Sequence, residues 1–490
     1  MMSKFNLNFN EYTDKVKACW IGKNIGGTMG APYEGTHDIL DVKGYATEFG
    51  APLPNDDLDL QLVWLHAAEK LGLREVNART LGLMWNSFIV AEWNEYGVAG
   101  INMKRGLAPS LSGDYKNLWK HSNGAWIRTE IWACLFPATP SLAAAYAIED
   151  AKVDHGVGEG TTAAAFVASM QSAAFVLKDI RECIELALMS IPEDSRVADS
   201  IRLVLKCYDD GLSPIETRNT VQKRNADMAG GWFEAPSNVA YAVLGLIYGK
   251  GEFKSSMLHA INCGDDTDCT AATVGATLGI LGGTKAIPED WSTHIGDRII
   301  TLALNRTGAG ARLPKTIDNL TERVVALAPH ALFDRQSEFA LKDESTLLPE
   351  NLYDYLKVQF EQARASLSFV PNTFLITSPM IDVQVCHEDG IDVAEGEEKH
   401  VALTFNNKGA IYDATSYSLS FRWWLPEGFR ASGKHGFILR NNYVRNDKSD
   451  LTEHFVITAG DSIEAENRCV LEIRVQGTPE AIYVPLTFMG

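Results

Sequence analysis

The apolar residues of this chain change their spacing near residue 370, and this change constrains the fold more than any other feature. Before it, apolar residues recur at helical intervals, as in residues 58–71, where the pattern ends at Gly72. The Ala-rich stretch 161–177 is apolar on nearly every side, which is typical of a helix at the centre of a domain. The same helical pattern recurs in residues 180–189, 238–248 and 267–281. We therefore expect an all-α domain packed around a buried centre.

After residue 370 the chain consists of short β-branched and aromatic runs with alternating polarity. Turn sequences such as Asn-Asn-Lys-Gly, Pro-Glu-Gly and Gly-Thr-Pro separate these runs. A stretch of ~120 residues with this pattern has the size of a small antiparallel sandwich. Residues 350–368 are typical of a final helix leading into it. The sequence predicts two domains, an all-α domain over 1–368 and an immunoglobulin-like β-sandwich over 369–490.

The charge of the chain disfavours two classes of partner. Among 490 residues, 63 acidic side chains against 44 basic ones give a net charge of −19. A field of that sign repels phosphate backbones and anionic lipid, so we expect neither nucleic acid nor a membrane surface as partner. The first residues resemble no secretory signal, and the eight cysteines are scattered without a CxxC pair. We therefore expect a cytoplasmic protein with reduced thiols.

Two groups of acidic residues each precede a predicted helix. Asn55-Asp56-Asp57-Leu58-Asp59 has a good N-cap residue, and its acids suit the helix dipole, so capping alone would explain it. Asp265, Asp266 and Asp268 place three carboxylates within four residues, which is more than a cap requires. Such carboxylates repel one another unless they are protonated or bind a cation. Aspartate oxygens are ligands that Mg²⁺ and Mn²⁺ accept.

Three shorter signals are ambiguous when each is taken alone. Glu34 follows a glycine-rich segment and Pro32, and a loop carboxylate of this kind is most often solvated. His155 precedes the Ala-rich helix, where a satisfied loop histidine is the commoner case. The Asn123-Gly124 turn could present backbone N–H groups to an anion, and Arg128 could equally be structural.

Taken in order, these segments resemble the motifs of the ADP-ribosylglycohydrolase family, which includes the dinitrogenase-reductase-activating glycohydrolases. The family pattern runs G-x-x-x-G-x-x-x-G-A-P-x-E, T-D-D-T, N-G-A-x-x-R, T-H and G-G-D-T-D-T-x-A. The corresponding segments here are Gly22–Glu34, Asn55–Leu58, Asn123–Arg128, Asp154-His155 and Gly264–Ala271. The resemblance covers roughly residues 12–300 and implies an all-α helical bundle, in agreement with the periodicity.

The resemblance also implies a reaction and a set of site residues. The family hydrolyses the glycosidic bond at the anomeric carbon of a ribose, so the implied substrate is a small-molecule or ADP-ribosylated N- or O-glycoside. It implies two metal ions, usually Mg²⁺, with Mn²⁺ as the other candidate. The implied acid or base is Glu34 or Asp57. The implied metal ligands are Asn55, Asp56, Asp57, Asp266, Asp268 and Cys269, and the implied substrate-binding residues are Asn123, Gly124, His155 and Asp265.

Departures from the family pattern keep two other functions open. Asn55, Leu58 and Cys269 stand where the family has threonine, and a cysteine thiol is a poor ligand for Mg²⁺. One alternative is a glycosidase acting on another furanoside or nucleoside, with Trp423-Trp424 of the β domain assisting carbohydrate binding. The other is a binding or structural protein that has kept the metal site without turnover. The sequence leaves the oligomeric state open.

Overall fold

The computed structural model describes residues 4–50, 52–228, 233–305, 312–363, 367, 369–408, 416–440 and 450–490. By their contacts the residues divide into two compact units. One comprises residues 1–98 and 116–369, and the other comprises residues 99–115 and 370–490. The expected boundary at residue 368 stays a prediction, because residue 368 lies outside the described residues. The grouping of 99–115 with the C-terminal strands has no signal in the sequence pattern.

The first unit is helical, which confirms the predicted fold class. None of the helices in the described ranges is long and apolar enough to cross a membrane. The helices of the described residues are α1 (Phe9–Gly30), α2 (Asp56–Leu71), α3 (Ala78–Phe88), α4 (Asn94–Lys104), α5 (Leu111–Asp114), α6 (Glu130–Leu135), α7 (Pro140–Ala151), α8 (Glu159–Ala174), α9 (Ile180–Ala187), α10 (Arg196–Asp209), α11 (Pro214–Arg224), α12 (Ala235–Tyr248), α13 (Phe253–Ile261), α14 (Thr267–Gly282), α15 (Glu289–Ile295), α16 (Ile317–Asp334) and α17 (Leu352–Ala363).

Glycine residues let α1 and α14 pack with their backbones in close approach. A Cβ atom built on Gly26 of α1 would lie 2.3 Å from the carbonyl carbon of Ala271 in α14. The same crowding would occur at Gly22, which faces Gly275, and at Gly30, which faces Thr267. Any larger side chain would force the two helices apart. This packing brings the end of α1 next to the start of α14.

One pair of short strands in this unit was not expected. Strand β1 (Phe5–Asn8) pairs in parallel with β2 (Phe339–Lys342). Each strand has four residues, which is too short to show an alternating pattern in the sequence.

The second unit contains two antiparallel sheets, in agreement with the predicted β-sandwich. Its strands are β3 (Thr373–Thr377), β4 (Ile381–His387), β5 (Glu398–Asn407), β6 (Tyr417–Trp424), β7 (Arg430–Ser432), β8 (Gly436–Leu439), β9 (Asp450–Thr458), β10 (Glu466–Val475) and β11 (Ala481–Met489). The sheet orders are β11-β10-β6-β8 and β3-β4-β5-β9-β7. Alternate side chains such as Val383 and Leu471 from the two sheets share one apolar core. The immunoglobulin-like topology stays a prediction.

Candidate active site

Three segments that are distant in the sequence bring their carboxylates together at the ends of α1, α2 and α14. Pro32 lies in a short 3₁₀ turn that ends α1 and places Glu34 beyond it. Asn55 caps α2, because its Oδ1 accepts a hydrogen bond from the Asp57 N–H at 2.7 Å. Asp266 and Asp268 stand before and within the first turn of α14. The acidic cluster therefore forms where α1 ends and where α2 and α14 begin.

The carboxylates form two overlapping groups that have the spacing of metal ligands. One ligand atom each from Glu34, Asp266 and Asp268 lie within 4.8 Å of one another. The same holds for Asp57, Asp268 and Cys269. Asp268 belongs to both groups, so the two positions are adjacent.

A cavity of about 330 Å³ opens beside these groups. It is lined by acidic residues and by polar and aromatic residues from other segments, namely Glu34, Asp56, Trp93, Asn94, Glu95, Ser122, Asn123, Gly124, Ile127, Phe233, Asp266, Asp268, Cys269 and Leu302. Of the two predicted acid or base residues, Glu34 lines this cavity, whereas the Asp57 side chain is fully buried. The Asn123-Gly124 turn and two of the three aspartates of the second acidic motif, Asp266 and Asp268, line the same cavity.

Asp266 and Asp268 each have one buried carboxylate oxygen, Oδ1, without a hydrogen-bond donor among the described residues. Burial, with the Glu34 carboxylate adding to it, raises the pKa of Asp268 to about 7. Burial and the neighbouring Asp268 also raise the pKa of Asp266 well above its ordinary value. Neighbouring carboxylates that repel one another and keep oxygen atoms without a donor fit a hard divalent cation.

Glu34 has the protonation behaviour of a group that can both give and take a proton near neutral pH. Its side chain is exposed at the cavity, and partial removal from water raises its pKa to about 7. The carboxylates of Asp56 and Asp57 contribute to this rise. A carboxyl group with such a pKa suits general acid–base chemistry.

Asn123 holds one of the aspartates by its side-chain amide. Its Nδ2 donates to Asp266 Oδ2 at 2.6 Å, and its Oδ1 accepts from Trp126 Nε1 at 2.9 Å. Both polar atoms of the amide are thereby fixed. The Asn123 side chain orients Asp266, while the Gly124 backbone remains part of the cavity wall.

His155 is buried and reaches the cavity wall through Ser122. Its Nε2 lies 3.2 Å from Ser122 Oγ, and its Nδ1 lies 3.0 Å from Asp154 Oδ1. Ser122 Oγ also donates to Glu95 Oε2 at 3.0 Å. A polar chain from Asp154 to Glu95 therefore supports this side of the cavity.

Two other predicted site residues have structural partners within the protein, of which only the Asn55 helix cap was expected from the sequence. Asp265 has a left-handed backbone conformation, with φ of 68°, and accepts hydrogen bonds from the Phe233 N–H and Asn238 Nδ2. It lines a separate cavity that also contains His37 and Arg218. The Oδ1 atom of Asn55 serves the helix cap. The roles of Asp265 in substrate binding and of Asn55 in metal binding stay predictions.

Two charged residues of this region were missed by sequence reasoning. Glu95 lines the cavity, and burial raises its pKa above the ordinary value. Lys23 lies buried in α1, next to Asp57. Burial lowers the pKa of Lys23, but the carboxylates of Asp57 and Glu130 outweigh burial and hold the pKa above its ordinary value. The position of Lys23 among the apolar and glycine residues of the second half of α1 was the signal available for it.

Comparison with known proteins decides the family. A family model described as ADP-ribosylglycohydrolase matches residues 9–328, which include every residue of the acidic cluster. The chain belongs to the ADP-ribosylglycohydrolase family. The resemblance of the sequence motifs is thereby confirmed, and the chain is expected to share the family's hydrolase chemistry at a coarse level.

The individual proteins and solved structures that this chain resembles have low sequence identity to it. An uncharacterized protein of Archaeoglobus fulgidus is 27% identical over 301 residues, covering 58% of this chain and 92% of that protein. A solved structure titled "ADP-ribosylglycohydrolase-related protein complex" is 19% identical with a TM-score of 0.40, covering 66% of this chain and 99% of that chain. The GAE domain of GGA2p from Saccharomyces cerevisiae is 14% identical with a TM-score of 0.16, covering 24% of this chain and 96% of that chain.

Proposed function

We propose that this protein is a metal-dependent hydrolase that cleaves the glycosidic bond of an ADP-ribosyl or related ribosyl N- or O-glycoside. The observation that carries the proposal is the pair of buried, unpartnered oxygen atoms of Asp266 and Asp268 at the wall of the cavity. Family membership over residues 9–328 supports the reaction class.

Glu34, Asp266 and Asp268 are the residues best placed to hold a divalent ion, Mg²⁺ or Mn²⁺. Their ligand atoms are all carboxylate oxygens, the donors that these ions prefer. Asp56 lines the same cavity and accepts a hydrogen bond from Tyr96 Oη at 3.3 Å. When bound, such an ion would supply positive charge that binds ribose hydroxyl groups and stabilises developing negative charge on oxygen. The family resemblance leads to an expectation of two ions.

Glu34 is the residue we assign to proton transfer at the scissile bond. Without a bound ion its pKa is about 7, and a neighbouring cation would favour its ionised form. The ionised group can accept a proton from a water molecule, and the protonated group can then donate that proton to the departing group. The negative charges around the cavity favour a ribose ring that becomes positively charged in the transition state.

The substrate-binding wall is formed by the Asn123-Gly124 turn and by Ser122, which connects to His155. The Ser122 hydroxyl and the Asn123 amide already donate to Glu95 and Asp266, so the backbone N–H groups of the turn are the donors that suit the hydroxyl and phosphate oxygens of an ADP-ribosyl group. This supports a small-molecule or ADP-ribosylated partner. The eight cysteines are all free, which supports our expectation of a cytoplasmic location.

The direct test is hydrolysis of ADP-ribosylated arginine, serine and O-acetyl esters, followed by chromatography of released ADP-ribose. We expect release that requires Mg²⁺ or Mn²⁺ and stops in a chelator. ADP-ribose binding without release from any substrate would favour the non-catalytic alternative. Release of a base from free nucleosides, with ADP-ribosyl compounds untouched, would favour the furanoside alternative.

A Glu34→Gln variant tests the assignment of the proton-transfer group. Because glutamine cannot exchange a proton, we expect kcat to fall by about 100-fold or more. Glu48→Gln is the matched control, since Glu48 is exposed and lies outside the cavity lining. An unchanged kcat in Glu34→Gln would remove Glu34 from the mechanism and return the assignment to Asp57.

A further inference from the structure

Lys23 occupies a position beside the acidic cluster where its ammonium group is surrounded by oxygen atoms. The residue is 1% exposed. Its Nζ lies 3.2 Å from Asp57 Oδ2 and 3.3 Å from Glu130 Oε1, and it also donates to the Ile127 carbonyl oxygen. An ammonium group has three N–H donors, so three oxygen neighbours match its capacity.

Glu130 is itself fixed, which keeps Lys23 in place. Glu130 Oε2 accepts from Gln61 Nε2 at 2.9 Å, and Oε1 accepts from Gln171 Nε2 at 3.0 Å. Gln61 Nε2 also donates to the Asp57 carbonyl oxygen at 2.8 Å, and Gln61 Oε1 accepts from the Ile131 N–H at 2.9 Å. All these side chains are buried. A rigid polar network therefore anchors the ammonium next to Asp57.

Both carboxylate oxygens of Asp57 already face protein groups. Oδ2 forms the ion pair with Lys23, and Oδ1 lies 3.4 Å from Cys269 Sγ, within hydrogen-bonding distance of a thiol. The group Asp57, Asp268 and Cys269 thus offers a hard ion a soft sulfur ligand and a carboxylate that is already paired with Lys23.

The group Glu34, Asp266 and Asp268 differs in its ligand atoms and in its charge. Its ligand atoms are all carboxylate oxygens. The buried Oδ1 atom of each aspartate has no hydrogen-bond donor among the described residues, which is also true of Asp57 Oδ2, but Asp57 Oδ2 lies 3.2 Å from the Lys23 ammonium. No ammonium or guanidinium group of the described residues forms an ion pair with Asp266 or Asp268. The two adjacent groups therefore differ in charge. The Lys23 ammonium lies beside Asp57, whereas no lysine or arginine among the described residues pairs with Asp266 or Asp268.

We propose that the Lys23 ammonium takes the place of a second divalent ion, so that this centre binds one metal ion, at Glu34, Asp266 and Asp268. This inference rests on the metal dependence proposed above. Asp57 then acts as a positioning residue held by Lys23 and Cys269. The Lys23 ammonium replaces part of the positive charge that a second ion would bring. A second divalent ion at Asp57 would lie against a fixed ammonium and be repelled by it.

The experiment is titration of the full-length, metal-free protein with Mn²⁺ alone, followed by calorimetry, elemental analysis and electron paramagnetic resonance. We expect one Mn²⁺ per chain, with the hyperfine pattern of an isolated ion. Two ions per chain with a spin-coupled spectrum would overturn this inference and leave the proposed metal-dependent function standing. No bound Mn²⁺ would overturn both.

The Lys23→Met variant tests whether the ammonium is the cause. Methionine has a similar length and no charge, so the variant should bind a second Mn²⁺ per chain and show a coupled spectrum. Lys15→Met is the matched control on the same helix, because Lys15 Nζ donates to the Phe175 carbonyl oxygen at 2.8 Å and no carboxylate of the acidic cluster contacts it. A single ion in folded Lys23→Met would overturn the role of Lys23. If that variant does not fold, Lys23→Met with Glu130→Gln removes both buried charges and carries the same expectation.

Discussion

Arg128, a residue of the third sequence motif, supports the site through buried hydrogen bonds and does not line the cavity itself. Its guanidinium is fully buried and donates to both oxygens of Asp154 at 2.9 and 2.7 Å. It also donates to Asp150 Oδ1 at 2.9 Å and to the Gly124 carbonyl oxygen at 2.6 Å. Burial opposes ionisation of Asp154, but Arg128 and His155 outweigh it and lower its pKa to about 2. Arg128 therefore fixes the Gly124 turn and the residue that orients His155.

We predict that Arg128→Met destabilises the protein by about 3–5 kcal/mol, because it leaves buried carboxylates without their partner. Arg181→Met is a matched control: Arg181 forms a bidentate pair with Asp209 at 2.6 and 2.7 Å, but at the surface. It should change the free energy of unfolding by about 0–1 kcal/mol. Urea unfolding of both variants measures the difference, and equal losses would contradict the supporting role of Arg128.

Single residues differ in how far the sequence predicts them. Asp266 and Asp268 were predicted because three carboxylates at a helix start exceed what a cap requires. Asp56 and Asp57, which capping alone would explain, were predicted through the family resemblance. Glu95 was not, because nothing within its own segment distinguishes a buried cavity residue from a solvated one. The partners of Lys23, Asp57 and Glu130, are 34 and 107 positions away along the chain, so only the fold brings them together.

The packing of α1 against α14 is the element-scale feature on which the site depends. Glu34 follows the first helix, and Asp266 and Asp268 begin the second. Close approach of the two backbones at Gly22, Gly26 and Gly30 therefore sets the distance between these carboxylates.

We predict that Gly26→Ala destabilises the protein by about 1–3 kcal/mol or more, because its methyl group would overlap the Ala271 backbone. Gly100→Ala is the control within a helix, since a Cβ at Gly100 meets no atom within 4 Å. That control should gain about 0.5–1 kcal/mol from helix propensity. Thermal unfolding and Mn²⁺ affinity of both variants provide the measurement. An unchanged Gly26→Ala variant would show that the two helices do not depend on this contact.

The helical spacing of apolar residues predicted the positions of α2 and α14 well. The pattern at residues 58–71 corresponds to α2 at Asp56–Leu71, and that at 267–281 to α14 at Thr267–Gly282. The final helix expected over 350–368 is described as Leu352–Ala363, and residues 364–366 and 368 lie outside the described residues. The pair β1 and β2 was missed because pairing between strands more than 300 residues apart leaves no local pattern.

For the molecule as a whole, the acidic cluster should make the free energy of unfolding depend both on pH and on whether a metal ion is bound. In the unfolded chain the carboxyl groups lose their protons near their ordinary pKa, about 4. In the folded chain Glu34 and Asp268 keep theirs until about pH 7. Between these values the folded state binds more protons, so the metal-free protein loses stability as the pH rises from about 4 to about 7.

We predict that the melting temperature in a chelator falls between about pH 5 and about pH 7, with a loss of the order of 2 kcal/mol or more. Mg²⁺ should oppose this loss, because it binds the ionised carboxylates, and its stabilising effect should grow with pH. Differential scanning calorimetry across this range measures both effects. A Mg²⁺ shift that is independent of pH would contradict the cluster as the metal site.

Calorimetric titration of ADP-ribose measures whether this acidic cavity binds an ADP-ribosyl group through a metal ion. Metal-free protein is titrated with and without Mg²⁺, alongside Asp266→Asn and the control Asp194→Asn, because Asp194 is exposed. We predict binding that requires Mg²⁺, is lost in Asp266→Asn and is kept in Asp194→Asn. Absence of binding in Mg²⁺, or equal binding without it, would show that the cavity is not a metal-dependent ADP-ribosyl site.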